Sequence, residues 1–189
     1  GFDVAPFAFG VRNSYGSALH TNGKLYATDN GPNKGFGDLP DGCFATKPSV
    51  TAKDELLLLS PGSYHGHPNR NRARDDGRQC TYHRNAEASR GGYTEPLADL
   101  GRSSINGVTE YMANLFGGAL KHDLLLAKFS GRSSSGSTQR VQLAAGGAGV
   151  ASITDLFGFS GLLMAQTPAG VVLAPQPQKN RVLVAAPDY

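Results

Sequence analysis

Residues 17 to 30 read Ser17-Ala18-Leu19-His20-Thr21-Asn22-Gly23-Lys24-Leu25-Tyr26-Ala27-Thr28-Asp29-Asn30. Two short apolar runs, Ser17 to His20 and Lys24 to Thr28, flank an Asn-Gly pair, the strongest short-range signal for a β-hairpin. Glycine takes a positive φ at no steric cost, so the chain can reverse there. Outward from this hairpin the same grammar recurs. Asn30 to Thr51 is too rich in glycine, proline and lysine for a strand and reads as a long loop, and Glu55 to Leu59 is an apolar strand ended by Ser60-Pro61-Gly62. Residues 62 to 104 carry little periodicity. Beyond them Gly107 to Tyr111, Asp123 to Phe129, Gln139 to Leu143, Leu162 to Gln166, Gly170 to Leu173 and Arg181 to Ala185 are runs of strand length, with turns at Gly131 to Ser137 and Pro175 to Gln178. No stretch has capped helical periodicity, so the chain reads as all-β, and a propeller of four-stranded blades meets the pattern as well as a sandwich does. Nine or ten strands at four per blade make between two and three blades, whereas a closed propeller needs roughly four to eight. If the fold is a propeller, 189 residues are about half of one.

Composition agrees. Glycine is 25 of 189 residues, without a collagen-like period, and marks turns between many short elements. Apolar residues at 39% are enough for a core, which argues against wholesale disorder. Eighteen basic against 15 acidic residues leave +3, too little to imply a nucleic-acid partner. Six arginines gather between Arg70 and Arg90, but Asp75, Asp76 and Glu87 dilute them and the stretch reads as a solvated loop. No apolar run approaches the ~18 residues of a membrane span. Cys43 and Cys80 sit in polar stretches without C-x-x-C spacing. One loop-to-loop disulfide is expected of them, and with it a secreted or extracellular setting; pairing to another segment stays open. Gly1 to Val4 carries no signal-peptide pattern, so any such peptide is expected to lie upstream or to have been removed.

Four motifs then occur in order: Gly10-Val11-Arg12-Asn13-Ser14-Tyr15-Gly16, Leu25-Tyr26-Ala27-Thr28-Asp29-Asn30-Gly31-Pro32-Asn33, Asp54-Glu55-Leu56, and Pro61-Gly62-Ser63-Tyr64-His65-Gly66-His67-Pro68-Asn69. This succession resembles the glucose/sorbosone dehydrogenase family, six-bladed β-propellers that include soluble sugar dehydrogenases using pyrroloquinoline quinone (PQQ) and the propeller of hedgehog-interacting proteins. The resemblance is strongest over residues 10 to 69. It implies that residues 1 to 189 are the C-terminal part of one propeller domain, roughly three blades, with the N-terminal blades outside this chain. Its open blade edges would be covered by that N-terminal half or by another protein, because unpaired strand edges are a liability.

The resemblance also implies a site. Arg12-Asn13 stands where the enzymes hold the anionic quinone, and Gly31-Pro32 where two backbone carbonyls bind calcium; a guanidinium suits a carboxylate and a hard cation suits carbonyl oxygen. Read from the residues alone, Arg12 and Asn13 serve equally to cap the start of a strand, and Gly31-Pro32 to turn a corner. Lys128 is a candidate substitute for the enzymes' cofactor-binding lysine, two positions displaced on the same strand face. The enzymes' arginine pair is absent, Phe159-Ser160-Gly161-Leu162 standing in its place. Asp54 and Glu55 read as acceptors for buried N–H groups that lock the blade. His65 and His67, with His83, have the alternation of a metal site but read better as packing residues, and the aromatics, none of them Trp, as core rather than a sugar platform. The expected function is a divergent sugar-dehydrogenase-like propeller serving as a secreted binding or structural module in an extracellular assembly. The alternative is a PQQ- and calcium-dependent dehydrogenase of an aldose or pyranose, with carbohydrate as ligand.

Overall fold

A computed structural model describes residues 2–33, 53–67, 92–129 and 136–187. Within them lie three antiparallel sheets. The first is β1 (Ser17–Leu19), β2 (Leu25–Asp29), β3 (Glu55–Leu59) and β4 (Ala98–Asp99), side by side in that order. The second repeats the plan with β5 (Ile105–Glu110), β6 (Leu124–Lys128), β7 (Ser137–Leu143) and β8 (Val150–Phe157). The third holds β9 (Ala165–Gln166), β10 (Val172–Gln176) and β11 (Arg181–Ala185), with β11 at its edge. The chain is thus about half, three blades, of a six-bladed propeller.

The hairpin that opens the chain is built as its sequence requires. Leu19 pairs with Leu25, Gly23 N–H donates to the His20 carbonyl at 2.8 Å, and Gly23 carries φ +80°. Thr21-Asn22-Gly23 is therefore a three-residue loop closed by a left-handed glycine.

The sheets stack face to face. Ala18, Tyr26 and Leu56 of the first sheet pack with Ile105, Val108, Leu124, Leu126 and Val141 of the second. Leu125 and Ala127 turn to the opposite side, where Tyr111, Leu120, Met164, Val172 and Ala185 cover them. The run Leu124 to Ala127 is apolar at every position because the second sheet has a neighbour on each face. One polar device recurs at both interfaces. The buried Tyr26 hydroxyl donates to the Gly147 carbonyl, and the Tyr111 hydroxyl to the Gly170 carbonyl, each at 2.7 Å. Both phenols thus bury their rings without orphaning a donor.

Strand by strand, Glu55–Leu59 and Arg181–Ala185 fall where the sequence puts them. Two elements escape the sequence reading. β4 is too short for any pattern, and β8 is an outer strand with exposed and half-buried residues in no regular alternation and register shifts against β7. A third difference concerns Pro175, read as a turn but lying within β10. Its missing N–H matters little there, because its carbonyl points toward the first strand of the sheet and accepts Leu162 N–H at 3.0 Å. Cys43 and Cys80 lie outside the described residues.

Away from Arg12 and Gly31, at the other ends of the strands, a carboxylate ties the first sheet to the second. Glu110, buried, accepts Thr21 N–H at 2.7 Å, the Thr21 hydroxyl at 2.6 Å and His122 Nδ1–H at 2.8 Å. His20 Nε2 lies 3.5 Å away and donates to the His122 carbonyl, while His20 Nδ1 accepts Asn22 N–H. Burial by itself raises the Glu110 pKa, but the Thr21 and His122 hydrogen bonds and the nearby His20 outweigh it and leave the carboxyl below its ordinary value. A lowered folded-state value means that Glu110 stabilises the fold fully above the unfolded-state pKa of about 4.5 and ceases to do so as pH falls through the folded one. Glu110→Gln is expected to flatten the acid side of the stability–pH profile while changing little in its slope near neutrality, as urea denaturation at a series of pH values would read. An unchanged acid limb would show that the clasp carries no net stability.

Candidate functional site

The opposite ends of the strands gather most of the residues singled out from the sequence. Asp29 ends β2 and is fully buried. A carboxylate there must be satisfied, and Asp29 accepts Arg12 N–H at 3.1 and 3.2 Å and Asn13 N–H at 2.6 Å. The backbone of the Arg-Asn pair is thereby clamped to the end of β2. Arg12 Nη1 donates to the Asn30 carbonyl at 3.0 Å. Asn30 Nδ2 donates to the Asn13 carbonyl and to Asn106 Oδ1, at 3.3 and 3.0 Å. Asn106, at the start of β5, also accepts the Ser104 hydroxyl on Oδ1 and the Thr28 hydroxyl on its carbonyl. A net of neutral amides and hydroxyls therefore joins the first two sheets at this end.

Gly31-Pro32 follows directly. Gly31 N–H donates to Asp54 Oδ1 at 3.0 Å, while Asp54 Oδ2 accepts Ser103 N–H at 3.0 Å and Ile105 N–H at 3.2 Å. Asp54 is the buried N–H acceptor its position before an apolar strand implied. It holds the turn at Gly31 against the segment that leads into β5.

Lys128, half-buried at the end of β6, stands on the second sheet at this same end, opposite Ile105. Gly136 lies against it, its absent Cβ position 2.6 Å from the Lys128 carbonyl. On the third sheet, where the resemblance placed an arginine pair, the buried Ser160 donates its hydroxyl to the Gly161 carbonyl, and its own carbonyl accepts Gln176 Nε2 at 2.7 Å. Arg181 Nε donates to Gln176 Oε1 at 2.9 Å. Arg12, Asn13 and Gly31, with Pro32 next in the chain, are thus held at the end of the first sheet, and Lys128 lies on the second sheet, paired with Ile105.

Other sequence candidates resolve differently. His65 is buried with Nε2 2.9 Å from the Ser63 hydroxyl, as a packing residue would be, and His83 lies outside the described residues. No cluster of three or more His, Cys, Asp or Glu able to hold a metal occurs among the described residues. Tyr26 and Tyr64 are core, whereas Phe2 is 99% exposed. Sequence reasoning missed Asn30 and Asn106, whose role comes from tertiary pairing across 76 positions. The only local sign was the polar end of an otherwise apolar strand.

Do these residues suit the groups the resemblance implies? For a hard cation they do. The Gly31-Pro32 turn is pinned by Asp54, and Asn30 Oδ1 is a buried acceptor without a hydrogen-bond partner. For a tricarboxylate the set is smaller than the resemblance asks: no guanidinium stands in the segment Phe159 to Leu162, which leaves Arg12, one of whose N–H groups serves the Asn30 carbonyl.

No protein-family model matches the sequence, and no curated protein matches it. Solved structures do match in shape. A glucose dehydrogenase aligns over 97% of this chain at 19% identity with TM-score 0.65. The PQQ-bound aldose sugar dehydrogenase of Streptomyces coelicolor aligns over 94% at 18% identity with TM-score 0.54. The holo PQQ domain of the Coprinopsis cinerea pyranose dehydrogenase does so over 94% at 11% identity with TM-score 0.60. The chain spans 46%, 44% and 54% of those three chains. At such identities the likeness is one of fold, and the fold this chain shares is that of about half a sugar-dehydrogenase propeller.

Proposed function

We propose that this chain is part of a divergent sugar-dehydrogenase-like propeller that works as a secreted binding or structural module in an extracellular assembly. Its ring is completed along the open flanks by the N-terminal blades or by another protein. The observation that carries this reading is the segment leading into β9, which offers Ser160 and Gly161 where the resemblance asks for paired guanidiniums. Each charged hydrogen bond missing from a carboxylate forgoes about 1.5–3 kcal/mol. A neutral polyhydroxyl ligand such as a carbohydrate asks for what remains, amide and hydroxyl partners around Asn30, Asn106 and Ser104. Secretion rests on the Cys43–Cys80 bridge expected from the sequence.

A second reading, a PQQ- and calcium-dependent dehydrogenase of an aldose or pyranose, draws support from the PQQ-bound neighbours of the same fold. Calcium would sit at the Gly31 and Pro32 carbonyls with Asn30 nearby, and the quinone would supply the hydride acceptor; Arg12, Asn13 and Lys128 would have to orient it. The two readings part on one experiment. The protein is saturated with calcium and PQQ, desalted, and tested with aldoses and a redox dye. The expected result is no retained quinone absorbance and no sugar-dependent dye reduction. Retention with turnover would establish the dehydrogenase.

A further inference from the structure

The Asn30 side chain is held in one orientation and half of it goes unsatisfied. Its Nδ2 donates to the Asn13 carbonyl at 3.3 Å and to Asn106 Oδ1 at 3.0 Å. A backbone carbonyl only accepts, so the amide cannot be turned over without setting oxygen against oxygen. Oδ1 is left buried with no donor among the described residues, on a residue only 6% exposed. An unmet acceptor at that depth costs free energy unless a proton or a positive charge is brought to it. The next two residues in the chain, Gly31 and Pro32, have carbonyls that accept no hydrogen bond among the described residues. Three consecutive residues therefore carry three oxygens with free lone pairs.

The carboxylates nearby already face backbone donors. Asp29 accepts the N–H groups of Arg12 and Asn13, and Asp54 those of Gly31, Ser103 and Ile105. Two such anions against the one guanidinium of Arg12 leave the surroundings net negative, which favours a cation without supplying its direct ligands. The Asp54 bond to Gly31 N–H also fixes the peptide that joins Asn30 to Gly31, so the turn is set before any ligand arrives. What is offered directly is amide and carbonyl oxygen. Calcium takes such hard, neutral ligands in flexible number, whereas magnesium demands a near-octahedral shell and gives up its water reluctantly.

We propose that Asn30 Oδ1 is a calcium ligand beside the Gly31 and Pro32 carbonyls, and that this chain holds calcium with no quinone present. The inference rests on the cation of the second reading above and parts it from the cofactor. Nothing in it calls on the segment Phe159 to Leu162, where the guanidiniums are missing. Water completes the shell, as it commonly does for calcium. Ligand charge sets calcium affinity, and a site with no carboxylate bound directly belongs in the weak range, with Kd of about 10⁻⁴–10⁻³ M. The role is mechanical. Asn30 links Asn13 of the first sheet to Asn106 of the second, so an ion on its remaining oxygen braces the join between them.

Calorimetric titration of calcium chloride into the 189-residue chain, chelator-treated and free of quinone, tests it. The expected result is one site in that weak range, with no competition from an equal concentration of magnesium chloride. Asn30→Asp puts a charge on the ligand and should tighten calcium about tenfold or more. Asn30→Leu should abolish binding, but it also removes the amide bridge, so the gain in Asn30→Asp is the deciding variant. Should both variants misfold, the wild type still decides: the Asn30 side-chain amide resonances must move as calcium is added. No calcium heat, still amide resonances, an unchanged affinity in Asn30→Asp, or binding only after PQQ is added would each overturn the proposal. Binding only with PQQ would leave the dehydrogenase reading standing. Calcium bound while no quinone is retained would remove that reading and keep this one, so the two fail independently.

Discussion

Asp54→Ala is expected to be the most damaging single substitution in the described part of the chain. It removes the shared acceptor of Gly31, Ser103 and Ile105 N–H, groups that converge on one buried carboxylate from two different sheets. A donor left buried without a partner costs about 1–3 kcal/mol, and a lost bond to a charged group about 1.5–3. Three together reach about 3–6 kcal/mol even allowing for water entering the gap, against a typical domain stability of about 5–15 kcal/mol. The urea midpoint should fall accordingly, and the chain should populate unfolded forms at ambient temperature. Asp54→Asn keeps one acceptor oxygen and should recover part of the loss. If Asp54→Ala shifted the midpoint by less than the equivalent of about 1 kcal/mol, the carboxylate would not be the lock between these sheets.

The second large effect is expected at Gly107, in the middle of β5. A Cβ built there would lie 2.9 Å from Leu163 Cα, 3.1 Å from Met164 N and 3.2 Å from Ala127 Cβ. Two of those atoms are backbone of the third sheet's inner segment, so relief requires the sheets to move apart rather than one side chain to turn. Gly107→Val should therefore exceed the usual 1–3 kcal/mol of overpacking, loosening Met164 and Val172 from Leu125 and Ala127. Gly158→Ala is the control, with no atom within 4 Å of its Cβ position, and should leave the midpoint within about 0.5 kcal/mol of wild type. Equal effects from the two substitutions would mean that the close approach of β5 does not set the spacing between sheets.

Local patterning determined a good part of this protein by itself. The Asn-Gly hairpin, the strands Glu55–Leu59 and Arg181–Ala185 and the absence of helical periodicity follow from period and turn chemistry, whereas half a ring came from the motif resemblance, since the strand count fitted a sandwich as well. Asp54 as an acceptor was legible too, because a carboxylate heading an apolar strand must meet donors. The tertiary structure alone decided the rest. Leu124 to Ala127 reads as a buried strand, but which neighbour each side chain meets depends on sheets distant in sequence. β8 gave no alternation because an outer strand is only partly covered. The bond from Arg12 Nη1 to the Asn30 carbonyl had no local sign, and Asn30 and Asn106 had no reading until the fold brought β2 and β5 together. Hydrogen-bond partners across such separations leave no periodic trace, since only the two end groups, not the residues between them, are constrained.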